Sequence, residues 1–192
     1  MARISALLPR ISVAFAASGK AARVFVLNSV NSVNLAVAAA LLLAAPASAR
    51  DSLGIYSTWG AFRDPKAPRC YAVAMAEPSA KRRDYQPFAS IGIWPKQGVR
   101  GQLHFRLSRK LAQAGRITLS MGRERFQLTG GGGDAWAADR RMDAAIVAAM
   151  RSTATMAVTA RDDRGNSFTD RYPLTGAASA MDAAMIGCAR IR

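Results

Sequence analysis

The sequence holds one histidine and two cysteines in 192 residues. That scarcity excludes a zinc-finger array, an iron–sulfur cluster and a multi-histidine metal site, so neither a metal nor a cofactor is expected. Aromatic residues make up only 7% of the chain, and much of its 51% apolar content is alanine. A core can therefore form, which separates the chain from disordered polycations, but small side chains will build much of it. No apolar run reaches the roughly 20 residues of a spanning helix. Acids are scarce as well, 12 against 27 cations, for a net charge of +15. The length suits one compact domain with an appendage.

The charge is unevenly spread. Residues 1–49 contain four cations (Arg3, Arg10, Lys20, Arg23) and no acid. The other 23 cations face all 12 acids in residues 50–192, a balance of +11. A basic body of this kind favours an anionic partner, although the same charge also serves solubility.

Leu35–Leu43 reads LAVAAALLL and is followed by Ala47-Ser48-Ala49. A short apolar run ending in a small-residue A-x-A site is the mark of a secretory signal peptide. Signal peptidase accepts small side chains at the first and third positions before the cut. Ala49 and Ala47 meet that requirement, which predicts cleavage before Arg50. The alternative, a membrane anchor, needs a longer run. Residues 1–33 are too long for an ordinary n-region, and two readings of them stand. One is an organelle transit peptide; the other is an early start, with initiation nearer Val24–Val30. Both remove 1–49 from the fold, leaving 50–192 as a single domain, periplasmic or secreted and without a membrane anchor.

Cys70 and Cys188 both survive that cleavage. A lone cysteine pair in an exported protein is usually a disulfide. In the chain-entropy picture it would contribute roughly 4–5 kcal/mol. The alternative is two separate buried thiols.

Alternating apolar residues mark strands at Cys70–Met75, Phe88–Trp94, Gln102–Leu107, Ile117–Met121, Thr153–Ala160 and Phe168–Leu174. Leu53–Phe62 reads as a first strand with aromatic anchors, and Phe126 and Leu128 mark another. Gly122-Arg123 is a two-residue hairpin turn. Gly130–Gly133 lacks the Gly-Lys-Ser/Thr of a phosphate loop and reads as a flexible connector. Asp139–Met150 has helical spacing, with Asp139 as its cap. A second helix begins at Thr175 and places Met181, Ala184, Met185 and Cys188 on one stripe. The predicted class is β-rich α+β: a mainly antiparallel sheet or sandwich of about seven strands, with one internal and one C-terminal helix.

At this point the residues resemble the invasion-associated locus B family of alphaproteobacterial envelope proteins. The resemblance rests on an ordered set. It comprises the Trp59 strand, Cys70-Tyr71-Ala72 before Glu77-Pro78, Trp94-Pro95, Phe126-x-Leu128 and Asp134-Ala135-Trp136-Ala137. It continues through Ala145–Met150, Arg164-Gly165, Asp170-x-Tyr172-x-Leu174-x-Gly176 and the Cys188 helix. The resemblance implies a small, exported, β-rich protein with no established catalytic site, from a family named for a role in host-cell entry. Two departures are the long N-terminal extension and the basic Lys81-Arg82-Arg83 loop.

Three function classes follow. The first is a non-enzymatic exported domain whose partner is an anionic envelope component, an anionic host-surface component or an acidic protein, with Lys81, Arg82 and Arg83 as the contact patch. The second is a nucleic-acid-binding protein using Tyr71, Tyr85, Phe88 and Trp94 beside that patch, which export disfavours. The third is a hydrolase built from His104, Asp170 and a serine, without a nucleophile elbow or paired-carboxylate motif to support it. The first is the expectation carried forward.

Overall fold

The computed structural model describes residues 50–189. The signal-peptide positions Ala47 and Ala49 lie outside these residues, and Arg50 is the first described residue. No helix among the described residues is long and apolar enough to cross a membrane.

Among the described residues ten strands form one antiparallel sheet, against about seven expected. In chain order they are β1 Asp51–Tyr56, β2 Trp59–Asp64, β3 Arg69–Met75, β4 Phe88–Trp94, β5 Val99–Arg106, β6 Ile117–Met121, β7 Glu124–Gly131, β8 Asp134–Trp136, β9 Thr155–Arg161 and β10 Ser167–Pro173. Among the described residues two α-helices complete the fold, α1 Arg140–Met150 and α2 Ala177–Cys188. The spatial order of the strands is β1-β2-β3-β4-β5-β8-β7-β6-β9-β10.

The extra strands have local causes. Leu53–Phe62 is a hairpin rather than one strand, with Tyr56 paired to Trp59 and Ser57 taking a positive φ of 56° in the turn. A Ser-Thr turn carries no glycine, proline or asparagine to announce it. Gly130–Gly133 is not a loose connector. β7 runs through Gly131, Gly132 takes a φ of 63°, and the chain re-enters the sheet as β8. The carbonyls of Gly133 and Gly132 then accept from the N–H groups of Leu107 and Leu111, tying this turn to the end of β5. Gly122-Arg123 does join β6 to β7, with a positive φ at Gly122 alone, as a type II′ turn requires.

Alanine explains how α2 sits so close to the sheet. Ala61 pairs with Ala72, and Ala74 with Ala89, giving a shallow floor on the inner face of β2–β4. Ala177, Ala180 and Ala184 of α2 are buried as the helix packs over β1–β4. Met185, expected on that stripe, is instead 41% exposed, because its helical position turns it past the sheet. At the start of α2, Gly176 has φ 88°, and a Cβ there would lie 1.9 Å from the Tyr56 carbonyl oxygen. Only glycine allows that approach. The disulfide joins Cys70 in β3 to Cys188 at the end of α2, with both residues buried.

α1 begins where Asp139 accepts from the Met142 N–H at 2.7 Å, and it buries Ile146, Ala149 and Met150. Asp143 reaches across to accept from the Leu103 N–H at 2.8 Å, joining α1 to β5. Burial pushes the Asp143 carboxyl above its ordinary range, with that hydrogen bond pulling the other way. Arg151 binds Asp182 at 2.6 Å and links the two helices, and the hydrogen bond lowers the Asp182 pKa.

The sheet folds back on itself, so that β10 returns to the β2–β3 end. The Trp59 indole N–H donates to the Pro173 carbonyl at 2.8 Å, and the Glu77 N–H to the Arg171 carbonyl at 2.8 Å. Phe105 and Tyr172 meet inside this closure, their ring centroids 5.5 Å apart. Pro173 thus ends an edge strand, where a missing N–H is harmless.

Candidate functional site

The polar loop between β3 and β4 is pinned at several points. Its base is closed by the Ala76 N–H donating to the Pro87 carbonyl at 3.1 Å. Its middle is held by the N–H groups of Asp84 and Tyr85, which share the Ser108 carbonyl at 2.8 and 3.2 Å. This fixes the predicted patch residues above the segment that follows β5 and beside β10. A cleft of about 730 Å³ opens there. Lys81, Arg82, Arg83, Arg109 and Arg171 line it, against the carboxylates of Asp162 and Asp170.

Arg109 is the strut of this site. Its guanidinium meets Asp162 at 2.6 Å and Asp84 at 3.3 Å, and donates to the Arg82 carbonyl at 3.1 Å. Three segments distant in sequence are joined by this one side chain, which is only 14% exposed. Asp162 in turn organises the β9–β10 turn, accepting from the N–H groups of Arg164 at 3.0 Å and Asn166 at 2.8 Å. Burial acts to raise the Asp162 pKa, but these donors and the Arg109 charge outweigh it and hold the carboxylate below its ordinary range.

Both acids of the cleft are therefore engaged by the protein itself. Asp170 accepts from the Ser108 N–H at 2.8 Å and is buried. Burial raises its pKa, while the Ser108 hydrogen bonds and the nearby Arg83 charge oppose the rise. A carboxyl raised in the native state binds a proton there that the unfolded chain has released. Its contribution to stability is present at low pH and declines as pH rises through the window just above its unfolded value of 3.8. Asp170→Asn should flatten that decline, a change measurable as urea midpoints compared between pH ~4 and ~6. An unchanged pH profile would remove Asp170 as its source.

The three predicted patch residues are brought together but have different roles. Lys81 and Arg82 are exposed, and Arg82 has only a distant carboxylate, Asp84 at 3.8 Å. Arg83 turns inward and donates to the Glu77 carbonyl, so it shapes the loop. Arg171, on the exposed face of β10, joins Lys81 and Arg82 at the rim. Sequence reading missed Arg109 and Arg171, since each lies far along the chain from the basic triplet. The engaged acids and the cationic rim together make this cleft suited to phosphate or carboxylate groups.

The imagined hydrolase set is not assembled. His104 lies on the outer face of β5 and pairs with Asp134 at 3.0 Å, while Asp170 belongs to the cleft with Ser108. His104 also stacks on Trp136, ring centroids 5.2 Å apart.

No protein-family model matches the chain, and no curated protein matches it. Among solved structures, the fold is similar to the crystal structure of invasion associated protein B from Bartonella henselae. The TM-score is 0.51 at 11% sequence identity, over 69% of this chain and 95% of that one. At that identity the likeness is one of fold. It accords with the resemblance drawn from the ordered motifs, at the level of architecture.

Proposed function

We propose that the protein is an exported, non-enzymatic envelope protein of the invasion-associated locus B type, binding an anionic envelope component through the cleft. The observation that carries this reading is the gathering of Lys81, Arg82 and Arg171 at one rim, with both nearby acids already engaged. The buried disulfide supports export, because such bonds persist in oxidising compartments. The fold likeness supports an envelope-related role. The ligand chemistry is phosphate on an outer-leaflet glycolipid, which offers a dense anionic surface to a rim of flexible cations.

The test is cosedimentation with vesicles containing a phosphorylated glycolipid, against vesicles of neutral lipid. Binding should occur at low salt to the phosphorylated vesicles only. The triple substitution Lys81→Gln, Arg82→Gln and Arg171→Gln should weaken it at least about tenfold, each removed contact being worth on the order of 1 kcal/mol near an anionic surface. All three side chains are at the surface, so the fold should survive, which circular dichroism checks. Equal binding by parent and variant would overturn the assignment of the cleft.

A further inference from the structure

The outer face of the sheet, away from both helices, is aromatic rather than wet. Phe62, Tyr71, Phe88, Trp94, His104 and Trp136 all lie along one open groove of about 680 Å³. Register places them there: Phe62 faces Tyr71, Gly92 faces Tyr71 on the other side, Phe88 flanks the His104 column, and His104 faces Trp136. The groove spans β2, β3, β4, β5 and β8. Four interstrand steps of about 4.8 Å carry it roughly 19 Å across the sheet.

The rings are laid down flat. A Cβ at Gly60 would lie 2.6 Å from the Phe62 ring, and one at Gly92 would lie 2.2 Å from the Trp94 ring. Each glycine thus makes room for an aromatic ring to lie against the backbone. Neighbouring rings also stack, Phe62 with Tyr71 at 5.7 Å between centroids and His104 with Trp136 at 5.2 Å. Trp136 is 38% exposed. Between the rings stand Ser90, Gln102 and the His104 imidazole, which offer hydrogen bonds.

The charge is sparse and of one sign. Arg50 and Arg69 lie in the groove, with Arg69 5.2 Å from the centre of the Tyr71 ring and its guanidinium 3.6 Å from Asp64. Arg106, on the same face, is taken up by Asp134 and by the Tyr85 ring, 3.8 Å from its guanidinium carbon. Asp134 is in turn shared between Arg106 and His104, so it presents no free carboxylate.

We propose that this groove binds an acidic polysaccharide that carries a carboxylate on only some of its rings. Flat aromatic surfaces suit the apolar faces of pyranose rings, and the intervening polar groups suit their hydroxyls. Arg50 answers an occasional carboxylate, with Arg69, already 3.6 Å from Asp64, as a weaker second. A single-stranded nucleic acid fits less well, because it brings a charge with every nucleotide and needs a continuous row of cations. The groove is separate from the basic cleft, and it stands whether or not the cleft binds glycolipid.

The test is isothermal titration of the protein with hyaluronan and chondroitin oligosaccharides, which carry a carboxylate on alternate rings, with oligothymidylate as comparison. Two of the three tryptophans, Trp94 and Trp136, line the groove, while Trp59 is fully buried. Binding should therefore also change the intrinsic fluorescence. At least one acidic oligosaccharide should bind, and Trp136→Ala should weaken it by about tenfold or more, on the scale of losing one stacking ring beneath a nucleic-acid base. Ser90→Glu, which leaves every ring in place but puts a negative charge between them, should do the same. The cleft triple variant should bind as the parent does. The proposal is overturned if no acidic oligosaccharide binds, if oligothymidylate binds more tightly, or if the cleft variant alone loses binding. It is also overturned if the protein sediments as a dimer that Ser90→Glu dissociates, which would give the face to a second copy.

Discussion

Replacing Cys70 and Cys188 together with alanine lowers the folding stability by roughly 5 kcal/mol, the loop-closure value for residues this far apart in sequence. Their separation is 118 residues, so almost the whole folded domain lies within the loop. Alanine is the right replacement because the two positions are 0% and 2% exposed. Serine would add buried hydroxyls that need partners. For a domain of this size the loss corresponds to a fall of roughly 15 °C in Tm. Calorimetry of the parent and the double variant measures it, and a fall of only about 2 °C would show that the bond contributes little. The loss should be felt first in α2, whose C-terminal end the bond holds against β3. Hydrogen exchange should show α2 amides losing protection before those of β4 and β5. The proposed export predicts that the chain is recovered from the periplasm with the bond formed and beginning at Arg50; a reduced, uncleaved chain in the cytoplasm would contradict it.

The second large effect lies at the closure of the sheet. Trp59 is fully buried and donates to the carbonyl of Pro173, at the end of the opposite edge strand. Trp59→Ala should cost roughly 3–5 kcal/mol, from the cavity left by the largest buried side chain. Trp59→Phe should cost less. It keeps most of the ring but strands the Pro173 carbonyl, a loss on the order of 1–3 kcal/mol. Denaturant unfolding of the two variants separates volume from hydrogen bond. If the phenylalanine variant is as stable as the parent, the indole N–H is not what joins β10 to β2.

Much of the architecture was legible because side chains alternate along strands. Cys70–Met75 and Phe88–Trp94 were read within a residue of their ends, and the α1 cap at Asp139 was read from its position before an apolar-periodic run. The failures share one cause, which is that local residue types were ambiguous. Ser57-Thr58 does not look like a turn, and four glycines look like slack, yet the sheet uses the first as a hairpin and the second as the approach to a three-residue strand. The cysteine pair was legible from its solitude. The candidate site was legible only in part. Lys81-Arg82-Arg83 stand together in sequence, but Arg109 and Arg171 join them only through tertiary folding. The aromatic face was legible in part: Tyr71, Phe88 and Trp94 stand near the basic triplet in sequence, whereas the fold gathers them with Phe62, His104 and Trp136 in a groove of their own. Tyr71, Val73 and Met75 are apolar while Ala72 and Ala74 opposite them are apolar too, so neither face of β3 was written for water.

The central claim is that the cleft recognises anions by charge. The most direct measurement is the affinity for phosphorylated glycolipid vesicles as salt is raised through the range where screening shortens to about 10 Å at 0.1 M. The account predicts steep weakening with salt in the parent and a shallower slope in the Lys81→Gln, Arg82→Gln, Arg171→Gln variant. Binding that ignores salt, or identical slopes for the two proteins, would contradict it.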